Sequence, residues 1–451
     1  MTTVKWALVG VLAGVAYSVS PLTVVFALLL PLLWTWAARG LDASERRWVA
    51  ALLGAGTLIR AGAIFALLLT TGQNQHFNTY FPDSQFAITR SWWIRNIWLE
   101  APIGPVNENI LYNPYGATSY SYVLGAIQFL VGAAPYGLNF ISTAAFLAGA
   151  VALYRMARQS FGPSTAIMGF ALLLFWPSTM AWSVSMLKES MQFALSAFLI
   201  SFTLRVVRSR TMRARVIGAL CAVATGYAIM TLRSAALYVA VAGCVAGVVA
   251  WLITRRPSIA AVAVLLIAVA SAAAVSRPSI RDRAMNVARA AAERQIGYTA
   301  SFGYGYKVLD QRFYSYGSRI APTLEPDEAA RFLVRAVVAF FTVPWPWQIT
   351  SASGLAYLPQ QLVWYGLVLL GVPGVLAGWR RDPLMTWLLL ATVAAGVVVI
   401  APNSGNIGTL VRHRDMVMPA VVLLSAAGFT WTLAALAKPR VFSLGSRMHK
   451  P

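Results

Sequence analysis

Fourteen carboxylates in 451 residues are few enough to place one by one. Asp42, Glu45 and Asp382 lie among Arg39, Arg46, Arg47, Arg380 and Arg381 and read as solvated loop charges. The other eleven are Asp83, Glu100, Glu108, Glu189, Asp282, Glu293, Asp310, Glu325, Asp327, Glu328 and Asp415, and all map to the opposite face once the apolar runs are drawn as spans. Acid–base or metal chemistry therefore belongs to that face. Asp83 is the best placed, because Tyr80-Phe81-Pro82-Asp83-Ser84 follows a long apolar run and precedes the helical-looking Phe86 to Trp93. A carboxylate there suits deprotonation of a hydroxyl, or orientation of a phosphate through a divalent cation. It suits capping the helix equally well. His76, His413 and His449 are too scattered to form a metal set by spacing, and Cys221 and Cys244 sit inside apolar runs as packing residues.

Lys188-Glu189-Ser190 comes shortly after Trp176-Pro177-Ser178 and opens another apolar run. Charges at a membrane boundary are costly unless partnered. Lys188 suits holding a phosphate while Glu189 orients it or the acceptor; a local ion pair pinning two helices accounts for them as well. Asn403, Asn406, Gly408, Thr409, Arg412, His413 and Arg414 lead into the last run. Guanidinium forks match phosphate oxygens, so Asn406, Arg412, His413 and Arg414 are candidate ligands of a phosphate or pyrophosphate head group. Arg60 lies within a run and Arg233 between two. Intramembrane charge marks substrate binding or a buried structural pair. Trp92, Trp93, Trp98, Tyr112, Tyr115, Tyr298, Tyr304, Tyr306, Tyr314, Tyr316, Trp345 and Trp347 suit sugar stacking, although an interfacial belt accounts for most of them.

These residues need a scaffold, and composition defines it. Hydrophobic residues make up 59% of the chain and charged ones 11%, with mean hydropathy +0.66. That leaves too little polar surface to coat soluble domains. The apolar runs are long and continuous, unlike the alternating segments of about ten residues in a membrane barrel. An all-α polytopic bundle is expected, one integral membrane domain over 1–451 with about twelve spans (roughly 11–13). The runs are 4–18, 21–37, 49–71, 137–155, 163–182, 188–206, 215–232, 235–254, 258–276, 356–377, 384–401 and 416–437. The first two read as a tight hairpin, or as one broken helix, and not as a cleavable signal.

The net charge of +22 is spread over short clusters between runs: Arg39, Arg46 and Arg47; Arg155 and Arg158; Arg205 to Arg215; Arg255 and Arg256; Arg380 and Arg381; Lys438 and Arg440. This is the positive-inside pattern, and it lacks the contiguous basic face that nucleic acid needs. It places both termini in the cytoplasm of a bacterium, with the chain in the inner membrane. Two long extracytoplasmic loops follow, 72–136, with an interfacial helix at 119–134, and 277–355. The second holds a basic helical stretch from Arg281 to Arg294, the aromatic run Gly297 to Ser318, and a helix from Pro326. Pro344 and Pro346 must end that helix, which is too short to span and reads as partly inserted.

Phe81-Pro82-Asp83-Ser84, with Phe86 and a helix behind it, resembles the first-loop segment of C-type (GT-C) polyprenyl-phosphate-sugar glycosyltransferases, related to protein mannosyltransferases and lipid A aminoarabinose transferases. Trp176-Pro177-Ser178 to Lys188-Glu189, Pro344-Trp345-Pro346-Trp347 and Asn406 to Arg414 look like segments of bacterial surface-polysaccharide membrane proteins. The resemblance implies a GT-C-like bundle that moves a sugar from a polyprenyl-phosphate- or pyrophosphate-linked donor in membrane lipid to a hydroxyl acceptor. It makes Asp83 the general base and Glu189 an orienting group, with Arg412, Arg414 and Lys188 on the donor phosphate. No nucleotide is implied, in keeping with the lack of a phosphate-cradling glycine loop. The chain departs from the pattern in having Asp83 without an acidic neighbour, Phe86 at a tyrosine-like position, and an extra N-terminal hairpin. An O-antigen-type polymerase or ligase fits the Arg- and Tyr-rich second loop, whereas a lipid-linked oligosaccharide flippase predicts polar residues along spans that are clean apart from Arg60.

Overall fold

The computed structural model describes residues 2–75, 82–111, 118–133, 136–300, 304–315, 318–349 and 352–437. His76, Tyr80, Phe81, Tyr112, Tyr115, Tyr316, Lys438, Arg440 and His449 lie outside the described residues.

Proline sets many of the helix starts. Its φ is preset for a helix, and at the first position it has no amide hydrogen to leave unpaired. The chain begins with α1 (Thr2–Val19), α2 (Pro21–Ala38), α3 (Ala43–Gln75), α4 (Pro82–Trp98), α5 (Pro105–Leu111), α6 (Ser119–Val131) and α7 (Leu138–Phe161). It continues through α8 (Pro163–Phe175), α9 (Pro177–Ser183), α10 (Glu189–Arg208), α11 (Met212–Leu232), α12 (Ser234–Thr254), α13 (Pro257–Ser276) and α14 (Pro278–Ala300). Last come α15 (Arg312–Ser315), α16 (Pro326–Thr342), α17 (Ala352–Arg381), α18 (Pro383–Ile400), α19 (Ile407–Arg414) and α20 (Met418–Leu436). The start expected at Pro326 is present, reinforced by a reciprocal Glu325/Glu328 capping box, and α16 stops before Pro344.

Among the described residues there is no strand, and nine helices are long and apolar enough to cross a membrane. They are α2, α3, α7, α10, α11, α12, α17, α18 and α20. The chain is a multi-span helical membrane protein. The single span expected over 163–182 is two helices, α8 and α9, bent by 60°. Trp176 is extended at φ −66° and ψ 122°, and Pro177 has no amide to continue the ladder, so the helix restarts in a new direction. Three further apolar helices, Val4–Ser18, Ser119–Val131 and Pro257–Ala270, are shorter than the nine.

Glycine allows the closest crossings. A Cβ on Gly243 would lie 2.8 Å from the Thr392 Cα, and one on Gly247 2.7 Å from the Leu388 Cα, so the GxxxG face of α12 brings its backbone against α18. Gly374 and Gly428 face each other where α17 crosses α20, and a Cβ on either would overlap a carbonyl of the partner helix.

The basic clusters meet at one end of the bundle. Arg155 donates to the Trp36 carbonyl at 2.7 Å, Arg208 pairs with Asp382, and Arg381 donates to the Phe161 carbonyl. Glu45 is not the solvated charge expected from sequence: it is 3% exposed and accepts from Tyr154 at 2.6 Å and Arg158 at 2.7 Å. Asp382 is likewise engaged, capping α18 by accepting from the Met385 amide at 3.1 Å. Both acids lie where three chain segments converge, so tertiary contacts replace water as their partners.

Candidate functional site

At the other end, residues far apart in the chain converge, and each is delivered by a local break. The bend at Trp176 aims α9 so that Ser178 and Trp182, one turn apart, share a face. Arg233 occupies the extended junction between α11 and α12, at φ −163° and ψ 106°. Asn406 caps α19, its side chain accepting from the amides of Gly408 at 2.9 Å and Thr409 at 3.3 Å. The second loop steadies the same segment: Tyr306 donates its amide to the Gly405 carbonyl at 2.8 Å, and Ile407 donates to Tyr304 at 2.9 Å. Successive residues of α19 point about 100° apart, so Arg412, His413 and Arg414 reach different surroundings.

Arg412 is the hub. Its Nε donates to Glu189 Oε1 at 2.5 Å and its Nη1 to Asp83, the second residue of α4. Arg233 reaches the same Glu189 oxygen at 3.4 Å and His413 Nε2 at 3.0 Å. Glu189 Oε2 is buried and has no hydrogen-bond partner among the described residues. Lys188 precedes Glu189, within electrostatic reach of Arg233 and Arg412. Three cations thus face two carboxylates.

Burial works against Arg412, yet Glu189 and Asp83 outweigh it and hold the guanidinium above its ordinary pKa. Burial, then the positive charge of Arg233, lowers Lys188. Burial likewise lowers Arg233, against the attraction of Glu189. His413 is pushed down to about 3, by burial first and then by Arg233 and Arg412, so it is neutral at physiological pH.

Beneath this cluster a narrow, partly open cavity runs between α7, α10, α12, α18 and α20. Glu189, Arg412, Asp415, Trp182 and Thr179 line its polar end, and Phe146, Leu153, Ile200 and Leu389 its apolar walls. Along α10 from Glu189 to Ile200 the lining extends about 16 Å at 1.5 Å per residue. The head of this cavity is charged and its body suits hydrocarbon.

Of the residues singled out from sequence, Asp83, Lys188, Glu189, Arg412 and His413 come together here, and Asn406 supports them as the cap of α19. Arg60 and Arg414 do not. Arg60 is fully buried within α3 and donates to Ser183 Oγ at 2.7 Å, the Gly56 carbonyl at 3.0 Å and the Leu174 carbonyl at 2.8 Å, bracing the α8–α9 break. Arg414 turns to the other side of α19, donating to Gln361 at 3.1 Å and the Ala339 carbonyl at 3.2 Å, and it binds the Val343 carbonyl past the end of α16. Burial lowers it to about 10, and it stays charged.

Asp83 already faces the Arg412 guanidinium, whose charge opposes a divalent cation at that carboxylate. Among the described residues, no three His, Cys, Asp or Glu gather closely enough to hold one. Asp415 was not singled out from sequence as a site residue. Its Oδ1 accepts from Ser178 at 2.9 Å and its Oδ2 from Trp182 Nε1 at 2.7 Å. Burial raises it to about 7, while those two bonds pull the other way. The only sequence signal was an acid closing the run Arg412-His413-Arg414-Asp415. No family model, curated protein or solved structure matches the chain, so function has to be argued from the chemistry of this site.

Proposed function

We propose that the protein is a membrane glycosyltransferase that moves a sugar from a polyprenyl-phosphate-linked donor to a hydroxyl acceptor in cell-envelope glycan or glycolipid synthesis. One observation carries this: a cluster with cations in excess, Lys188, Arg233 and Arg412 against Asp83 and Glu189, stands at the head of a long apolar cavity between spans. Neighbouring cations repel, and a phosphate placed among them relieves that repulsion while satisfying the guanidinium forks. The polyprenyl chain lies along the apolar walls. Glu189 fixes the two arginines, and Asp83, with 67% of its side chain exposed, is the partner of Arg412 that a phosphate displaces most readily.

In this reading the bundle is GT-C-like with about twelve spans. Its basic end and both termini are cytoplasmic in a bacterial inner membrane, and the cluster faces outward. The full engagement of Arg60 favours an enzyme over a flippase, since it removes the one strong charge available along a span for a transport path.

Alanine at Arg412 in the intact protein, assayed by surface glycan or glycolipid in cells, should lower product by about 100-fold, the scale of removing one group that stabilises developing charge. Asp83→Asn should lower it less. Undiminished product from Arg412→Ala at normal expression would contradict the reading.

A further inference from the structure

A proton acceptor here must be in contact with the cavity and not neutralised by a cation, and neutral His413, held down to about 3 against Arg233, is too weak a base. Two described carboxylates line the large cavity, Glu189 and Asp415. Glu189 is held by Arg412 at 2.5 Å and Arg233 at 3.4 Å, and two guanidinium groups make a carboxylate a poor base. Asp83 pairs with Arg412 outside the cavity lining. Asp415 differs from both. Its bonds come from a hydroxyl and an indole, it takes part in no salt bridge within 4.0 Å among the described residues, and both oxygens keep capacity for another bond. It also lines a second, smaller pocket with Gln360, Gln361, Trp364 and Arg414, and so stands at the boundary between the two spaces.

We infer that Asp415 is the proton acceptor of this site, an inference that rests on the transfer reading above. As the acceptor hydroxyl oxygen attacks the anomeric carbon, its proton passes to an Asp415 carboxylate oxygen. The new carbon–oxygen bond forms while the anomeric carbon–phosphate oxygen bond breaks, and its electron pair leaves with the phosphate, which Arg412, Arg233 and Lys188 hold. Ser178 and Trp182 keep the carboxylate aimed, and Gln360 holds Ser178 in turn, its Oε1 accepting from the Ser178 amide at 3.0 Å. The charged and titratable groups facing Asp415 are Glu189 on α10, Tyr357 on α17, and Arg412 and Arg414 on α19.

The test uses the full chain. In cells, Asp415→Asn should lower glycan product by at least about 100-fold, the ordinary contribution of a positioned base. Asp415→Glu should restore part of it. In nanodiscs, binding of decaprenyl phosphate by Asp415→Asn should stay within about twofold of wild type, because the phosphate cations are untouched. Infrared titration should show a protonated carboxyl in the wild type that ionises near pH 7 and is missing from Asp415→Asn. Trp182→Phe removes one donor to the ionised form and should move that titration, and the pH dependence of product formation, to higher pH.

Wild-type product from Asp415→Asn across the pH range, or a titration unmoved by Trp182→Phe, would overturn the inference and leave the transfer reading standing. Failure of the wild type to bind decaprenyl phosphate would overturn the transfer reading itself. If Asp415→Asn does not accumulate, the Trp182→Phe titration and pH profile decide alone.

Discussion

The chemistry rests on how a few charges are partnered. Arg412 is held by two carboxylates, whereas Asp415, three residues on, has two neutral donors. That contrast was not legible in Arg412-His413-Arg414-Asp415, where an acid beside arginines reads as neutralised by them. The helix turns the neighbours apart, and only the distant bend at Trp176 supplies Ser178 and Trp182. His413 gives a separate test at this scale. In the unfolded chain its imidazole takes a proton below pH about 6.5, while the folded site refuses it until about 3. The unfolded state therefore binds more protons in that window, and stability falls as pH falls, by up to about 1.4 kcal/mol per pH unit from this group. Thermal unfolding in detergent should show a smaller acid loss for His413→Gln than for wild type; identical pH dependence would mean that the imidazole is not excluded from protonation.

Helices were the most legible level, and their breaks the least. Proline starts at Pro21, Pro163, Pro257, Pro326 and Pro383 are where an apolar run with a leading proline must begin. The same residue type at Pro177 interrupts a run that is long enough to span, and sequence does not separate a straight continuation from a 60° turn. The turn is fixed by Arg60, which satisfies the Leu174 carbonyl at the end of α8 and the Ser183 hydroxyl at the end of α9. Arg60→Met should leave the Leu174 carbonyl unpaired at about 1–3 kcal/mol, while the Ser183 hydroxyl keeps its bond to the Met180 carbonyl, and lower the melting temperature, with decaprenyl phosphate affinity of the remaining folded protein unchanged. Lost affinity at unchanged stability would return Arg60 to the substrate site. Gly374→Val should prevent the α17–α20 crossing and abolish folded protein, whereas Gly10→Ala, with open space around it, should not.

For the whole molecule, composition decides the class, and the proposed sidedness rests on charge distribution alone. Basic residues gather at one end through Arg155, Arg158, Arg208 and Arg381, and the Asp83–Glu189–Arg412 cluster stands at the other. In a background with Cys221 and Cys244 replaced by alanine, a cysteine at Arg213 should be protected from a membrane-impermeant thiol reagent in intact cells, and one at Glu100 should react. The reverse labelling would invert the molecule.

The most direct test of the central claim is binding of decaprenyl phosphate, against decaprenol as control, to the full-length protein in nanodiscs. Saturable binding of the phosphate alone, weakened at least about tenfold by Arg412→Ala and again by Arg233→Ala, is expected from charge-assisted bonds worth roughly 1.5–3 kcal/mol each. Equal binding of the phosphate and the alcohol, or binding indifferent to both arginines, would contradict a lipid-phosphate site at the head of this cavity.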